Sequence, residues 1–240
     1  MCRDSFPAPL YGNLGSFIDK DMLSYLGSGC NSHVWKLTRK QKTFAVKTFV
    51  NREFSMTYDL YSKMKDLDLQ QTLKAIEVFQ YLNSPFDIDA YMMQYLKKDD
   101  SFSFLDSPIP VLLHNFLGLE KDASMLANHH IIMCDIDRAN AIYDQLTSKL
   151  YISDVDCFYY DDSIASFRIL DRNYSLILDL FVDCLHKDLR KSDFSSMEKV
   201  AYITQLQQLF DDSFVEEGPC TKIEKVFGKY QTPRQYFLKK

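Results

Sequence analysis

The sequence predicts an α+β protein in which an antiparallel sheet with one helix comes first and helices follow. Three observations carry this. Runs of β-branched and aromatic residues crowd residues 22–96, and a glycine pair, Gly27 and Gly29, interrupts the first of them. Beyond residue 97 the apolar residues recur mostly at helical spacing. The chain has 240 residues, 46% hydrophobic and 25% charged, so it can bury a core and is not of disordered composition. That length suits one domain or two lobes around a cleft.

Residues 1–20, with Pro7 and Pro9, read as an irregular lead-in, with room for a closing strand. Residues 22–36 and 43–50 read as three antiparallel strands, the glycine pair lying between the first two. From Arg52 to Leu67 the spacing is helical, with Met56, Leu60, Met64 and Leu67 on one face. Strand character returns over Lys74–Leu82 and Ala90–Leu96, separated by the turn Asn83-Ser-Pro-Phe-Asp. Residues 97–109 read as a polar crossing loop and Val111–His129 as a helix. Helices then cover Tyr174–Leu189 and Ser196–Phe214, with a short piece near Pro233. The run from Tyr174 to Leu185 looks apolar nearly all round, the mark of a buried central helix.

Composition narrows the function. The net charge of -5 argues against nucleic acid, because no excess of cations is there to meet phosphates. The basic clusters Arg39–Lys42 and Lys187–Lys191 read as solvated faces. Six cysteines at 2, 30, 134, 157, 184 and 220 form no CxxC pair, which argues against zinc and a disulfide framework and fits free thiols in a reducing cytosol. No run is long enough to span a membrane and the N-terminus has no apolar signal core, so a soluble, cytoplasmic protein is expected. His129 and His130 lack metal-site spacing and read as packing or surface residues. His33, at the glycine loop, offers at most a weak phosphate contact.

Two blocks carry chemistry. In the first, Leu26-Gly27-Ser28-Gly29 precedes Val34, and Phe44-Ala45-Val46-Lys47 follows on the next strand. Glycines at a hairpin tip let backbone N–H groups approach a polyphosphate with no Cβ in the way. The second block is Asp135-Ile-Asp-Arg-Ala-Asn140, then Leu150-Tyr-Ile-Ser-Asp154-Val-Asp156. Asp135 and Asn140 are five apart, and Asp154 follows a strand-like run after a polar turn. Phosphoryl transfer asks for such a set: a carboxylate at the attacking hydroxyl, and an amide oxygen and a second carboxylate on a hard cation.

In this order, from about Leu26 to Leu185, the chain resembles the protein kinase superfamily, with its G-x-G-x-x-G-x-V, V-A-I-K, D-x-x-x-x-N and D-F-G patterns. The resemblance implies a two-lobed fold: residues 1–96 as a small nucleotide-binding sheet lobe with one helix, and 97–240 as a truncated, mostly helical lobe. It implies ATP and Mg²⁺ as cofactors. Leu26, Gly27, Ser28 and Gly29 would cover the phosphates, and Val34 and Ala45 would line the adenine site. Met93, Gln94 and Tyr95 would join the lobes, with Met93 guarding the back of the pocket or simply filling core space. Lys47 would meet the α- and β-phosphates, Asp135 the acceptor hydroxyl, and Asn140 and Asp154 the metal. A helix carboxylate would hold Lys47, with Asp59 favoured over Glu53.

Departures are as informative. Ser32 replaces the third glycine, and Met133 and Cys134 replace the catalytic-loop His and Arg. Asp137 takes the place of a phosphate-steering lysine, for which the neighbouring Arg138 is a candidate substitute. Asp156 replaces the glycine of D-F-G and reads either as a second metal carboxylate or as an exposed turn residue. There is no A-P-E triplet, and only about twenty residues part Asp154 from the helix near Tyr174. A Ser/Thr protein kinase is the leading expectation. A small-molecule kinase, in outline like aminoglycoside and choline kinases, and a pseudokinase scaffold are its rivals.

Overall fold

The computed structural model describes residues 9–51, 55–97 and 103–213. The expected piece near Pro233 and the alternative anchor Glu53 lie outside them. The first half forms β1 (Leu10–Gly12), β2 (Phe17–Ile18), β3 (Leu23–Ser28), β4 (Ser32–Arg39), β5 (Lys42–Phe49), helix α1 (Tyr58–Met64), β6 (Glu77–Tyr81) and β7 (Ala90–Gln94). These seven strands make one curled antiparallel sheet in the order β2-β1-β6-β7-β5-β4-β3.

Both sheet faces are apolar, which is why β5 runs buried from Ala45 to Phe49 without alternation. The curl gathers Leu10 and Ile18 from one edge with Trp35, Leu37, Val46 and Met92 into an outer cluster. The inner face sets Ala45, Phe49, Tyr91 and Met93 against α1 and the helices of the second half, in one continuous core.

The second half contains α2 (Ile109–Asn128), β8 (Ile131–Ile132), β9 (Ala141–Asp144), β10 (Lys149–Ile152), β11 (Tyr159–Tyr160), α3 (Ser166–Lys191) and α4 (Ser196–Ser213). Strands β9 and β10 form a hairpin, and β8 pairs with β11. Phe116 of α2 packs edge-on against Tyr174 and Phe181 of α3, at 5.7 and 5.3 Å between ring centres. Such pairs add about 0.5–1.5 kcal/mol each beyond the area they bury. Among the described residues no helix is long and apolar enough to cross a membrane.

A strap joins the two halves. The chain leaving α1 lays Gln70–Leu73 along the end of β10, with Ile152 N–H donating to the Gln71 carbonyl and Leu73 N–H to the Ile152 carbonyl. Asp122 of α2 accepts the N–H groups of Gln70 and Gln71 at 2.7 and 2.8 Å. The Gln71 amide donates to the Leu150 carbonyl and to Asn115. Gly118 makes room: a Cβ there would collide with the Gln71 carboxamide. The strap fixes Ile152, and so Asp154 two residues on, relative to the sheet.

Four expectations need correction. From residue 9 on, the lead-in holds more than a closing strand, because β1 and β2 form a hairpin that extends the sheet beyond β6. Helix α1 starts only at Tyr58, where the Thr57 side chain caps it by accepting the Leu60 N–H at 3.2 Å. Helix α3 begins at Ser166, so only residues 155–165 part it from Asp154. It is also amphipathic, with Ser175, Asp179 and Asp183 spaced four apart on an exposed face.

Candidate active site

The site is assembled on a row of four strands. Gly27, Val34, Lys47 and Tyr91 are successive register partners across β3, β4, β5 and β7, so their side chains share the inner face. The next row on that face sets Lys36, Ala45 and Met93 side by side. Leu26 lies at an irregularity in the register, between the paired Tyr25 and Gly27, and is exposed. Met93 is buried with Ala45 in the core. Gln94 is exposed, and the Tyr95 ring lies 5.5 Å from the Lys36 amine. His33 falls on the opposite face, edge-on to Tyr25 and Trp35.

Neither Gly27 nor Gly29 has positive φ. Their contribution is space. A Cβ on Gly27 would meet nothing within 4 Å, and one on Gly29 only the Ser32 hydroxyl at 3.9 Å. That opening lies over the row that carries Lys47, as a closely approaching ligand needs.

Opposite the row, the second half supplies carboxylates. The Lys47 amine donates to Asp154 Oδ1 at 2.7 Å and to Asp156 Oδ2 at 2.5 Å. Asp156 N–H donates to Asp154 Oδ1 at 3.3 Å, so the two acids are tied through the turn itself. Burial works against the charge on Lys47, but Asp156 and Asp154 outweigh it and hold its pKa above the ordinary value. Burial pushes the Asp156 carboxyl up to about 6, and the charge of Asp154 adds to the rise, while Lys47 and the Tyr91 hydroxyl oppose it. Asp156 Oδ1 and the Tyr91 hydroxyl are themselves buried without a well-formed hydrogen bond.

Asp135 and Asn140 join this cluster through one loop. Asn140 Nδ2 donates to the Asp135 carbonyl at 2.8 Å, holding Asp135 in a left-handed conformation with φ of 54°. Aspartate is among the few side chains that tolerate this, and the Asp135 side chain stays exposed. Ser153, next to Asp154, donates both its N–H and its hydroxyl to the Asn140 carbonyl, at 2.8 and 2.9 Å. The loop's start is pinned by Asn173 of α3, which accepts from Met133 N–H at 2.8 Å and donates to the Ile131 carbonyl at 3.1 Å.

Asp137, Arg138 and Asp59 do other things. Asp137 caps the 3-10 turn Arg138–Asn140, accepting the Asn140 N–H at 3.0 Å. The Arg138 guanidinium reaches Asp188 of α3 at 2.6 Å, so it is committed to the helical half rather than to a phosphate site. Asp59 does not hold Lys47. Its side chain is 61% exposed and lies 3.9 Å from Lys63, one turn along α1. The reading of Asp156 as an exposed turn residue also fails: its side chain is 4% exposed and meets Lys47.

Electrostatics favours a cation beside Lys47. Asp135, Asp154 and Asp156 set three carboxylates against one ammonium. Together with burial, their field drives the half-buried Cys157 thiol up to about 11. Hard oxygens make up the donor set, and among the described residues no three His, Cys, Asp or Glu side chains close a metal site. Such a set suits Mg²⁺, which takes one or two protein oxygens and completes its shell with phosphate and water. The residues therefore fit the metal and nucleotide that the sequence resemblance implies.

The sequence reading missed Asn173, Gln71 and the role of Asp156. Nothing local marks the first, because Asn173 follows Asp171 and Arg172 just before the apolar run begins at Tyr174. A cavity of about 430 Å³ lies elsewhere, between the β1–β2 hairpin, β6 and the start of α1, with Tyr11, Tyr58 and Asp87 in its walls. It contains none of the clustered residues. Neither a protein-family model nor a curated protein matches the chain.

Proposed function

We propose that the chain is an ATP- and Mg²⁺-dependent phosphotransferase with a compact, two-lobed, kinase-like fold, most directly a Ser/Thr protein kinase acting in the cytoplasm. One observation carries the reading: Lys47 and Asp154, 107 residues apart, meet at 2.7 Å beneath an open glycine hairpin. Asp135 and Asn140 are bonded into the same cluster. Bound nucleotide and metal supply the transferable phosphoryl group and neutralise its charge. Lys47 binds the phosphates, and the Asn140 amide oxygen and Asp154 carboxylate hold the metal. Asp135 takes the proton of the acceptor hydroxyl at its exposed carboxylate.

The short segment of residues 155–165 favours a second reading, a small-molecule kinase, because it leaves little platform for a peptide. Incubation with γ-labelled ATP, Mg²⁺ and separate protein and small-molecule acceptor mixtures tests both. Label on protein supports the first reading and label on a small molecule the second. ATP binding without transfer points to a pseudokinase scaffold and overturns both.

A further inference from the structure

We propose that Asp156, where the family pattern has glycine, is the positioning residue of Lys47, and that helix α1 takes no part in holding it. This rests on the nucleotide-binding reading of the site. An ammonium as buried as that of Lys47 needs a fixed counter-charge. Asp154 is a poor sole candidate, because it is 28% exposed and is also the carboxylate assigned to the metal. Asp156 is 4% exposed, lies 2.5 Å from the amine, and has no competing task among the described contacts. Its own N–H holds Asp154 Oδ1, so one residue sets both the lysine and the acid beside it.

Helix α1 offers no alternative among the described residues. Its buried side chains are Leu60, Tyr61 and Met64, and its acid, Asp59, faces outward beside Lys63. Lys63 in turn lies 3.7 Å over the Tyr160 ring of β11. The helix is thus tied to the second half through a cation–π contact, and its acid supplies no counter-charge to Lys47. Lys47 on β5 and the two carboxylates of the turn after β10 are bonded directly to one another, and the described contacts include no ion pair from α1 to any of them.

The test is calorimetric titration with ADP in EDTA, on the wild type, Asp156→Asn, Asp156→Gly and Asp59→Asn, with melting temperatures as the folding control. Asp156→Asn and Asp156→Gly should each weaken ADP about tenfold or more, the scale of losing a bond to a charged group. Asp59→Asn should leave it unchanged. In a Lys47→Met background the Asp156→Asn effect should vanish, since the residue acts through the lysine. A purely structural role would persist there and overturns the proposal, as does an Asp59→Asn loss equal to that of Asp156→Asn. Melting supplies a second arm without nucleotide: Asp156→Asn should restore stability lost in Lys47→Met, and Asp59→Asn should not. The reverse ranking overturns the proposal while leaving the nucleotide reading intact. A wild type that does not bind ADP overturns that reading and this inference with it.

Discussion

Helix α1 and the turn that follows β10 both pack against the inner face of the sheet, yet they bury opposite kinds of group. The helix presents Leu60, Tyr61 and Met64 and leaves its aspartate in water. The turn buries Val155 fully and, next to it, the carboxylate of Asp156. A seven-residue helix is marginal by itself and draws its stability from apolar packing, so a charge on its buried face would cost more than it could return. The turn hangs on β10, which is bonded to the strap and to β9, and it meets a lysine already fixed on a central strand. A buried charge is tolerable there because both partners are rigid. Buried charge is thus placed on the rigid elements and kept off the short helix.

The largest effect that can break this contrast is on transfer. Asp154→Ala should abolish phosphotransfer, a loss at the top of or beyond the roughly 10²–10⁴-fold range expected for Asp135→Asn. If Asp154→Ala keeps substantial turnover, the turn is not the metal-bearing element. Next comes the link between the two regions. Gln71→Ala removes an amide that bonds three buried acceptors and should cost about 1–3 kcal/mol in urea unfolding. A neutral outcome would mean that the strap does not position β10.

The pH dependence of the metal-free protein sharpens the same comparison. The folded pKa of Asp156, about 6, lies above its ordinary 3.8. Its contribution to stability is therefore fully present below about pH 4 and is lost as pH rises through about 6. Asp156→Asn should remove that part of the slope in denaturation measured between pH 4 and 7, and Asp59→Asn should not. The smallest effect is Asp59→Asn itself, which should stay within about 0.5 kcal/mol of wild type and keep full activity. A loss larger than that would return α1 to the site.

Much of this could be read from the chain because local chemistry dictates it. The glycine hairpin, the Val34 and Lys47 register and the five-residue step from Asp135 to Asn140 follow from turn residues and strand alternation. What stayed hidden depends on distant packing. Nothing local marks Gln71 as the plug beside Gly118, or Gly12 as the residue that leaves room for Glu77. Strands of three and two residues around Gly12 and Gly15 carry too little pattern to announce the hairpin. Whether Asp156 was a surface acid or a buried partner depended on burial, which a sequence of alternating acids and apolar residues leaves open.

Melting of the wild type and Lys47→Met, with and without ATP and Mg²⁺, tests the central claim, that Lys47 faces nucleotide phosphates. At a hundredfold excess over Kd a ligand bound only by the native state adds about 2.7 kcal/mol, or about 5 °C or more for a domain of this size. The wild type should show that rise and Lys47→Met little or none. No rise at millimolar nucleotide, or an equal rise in both proteins, would contradict it.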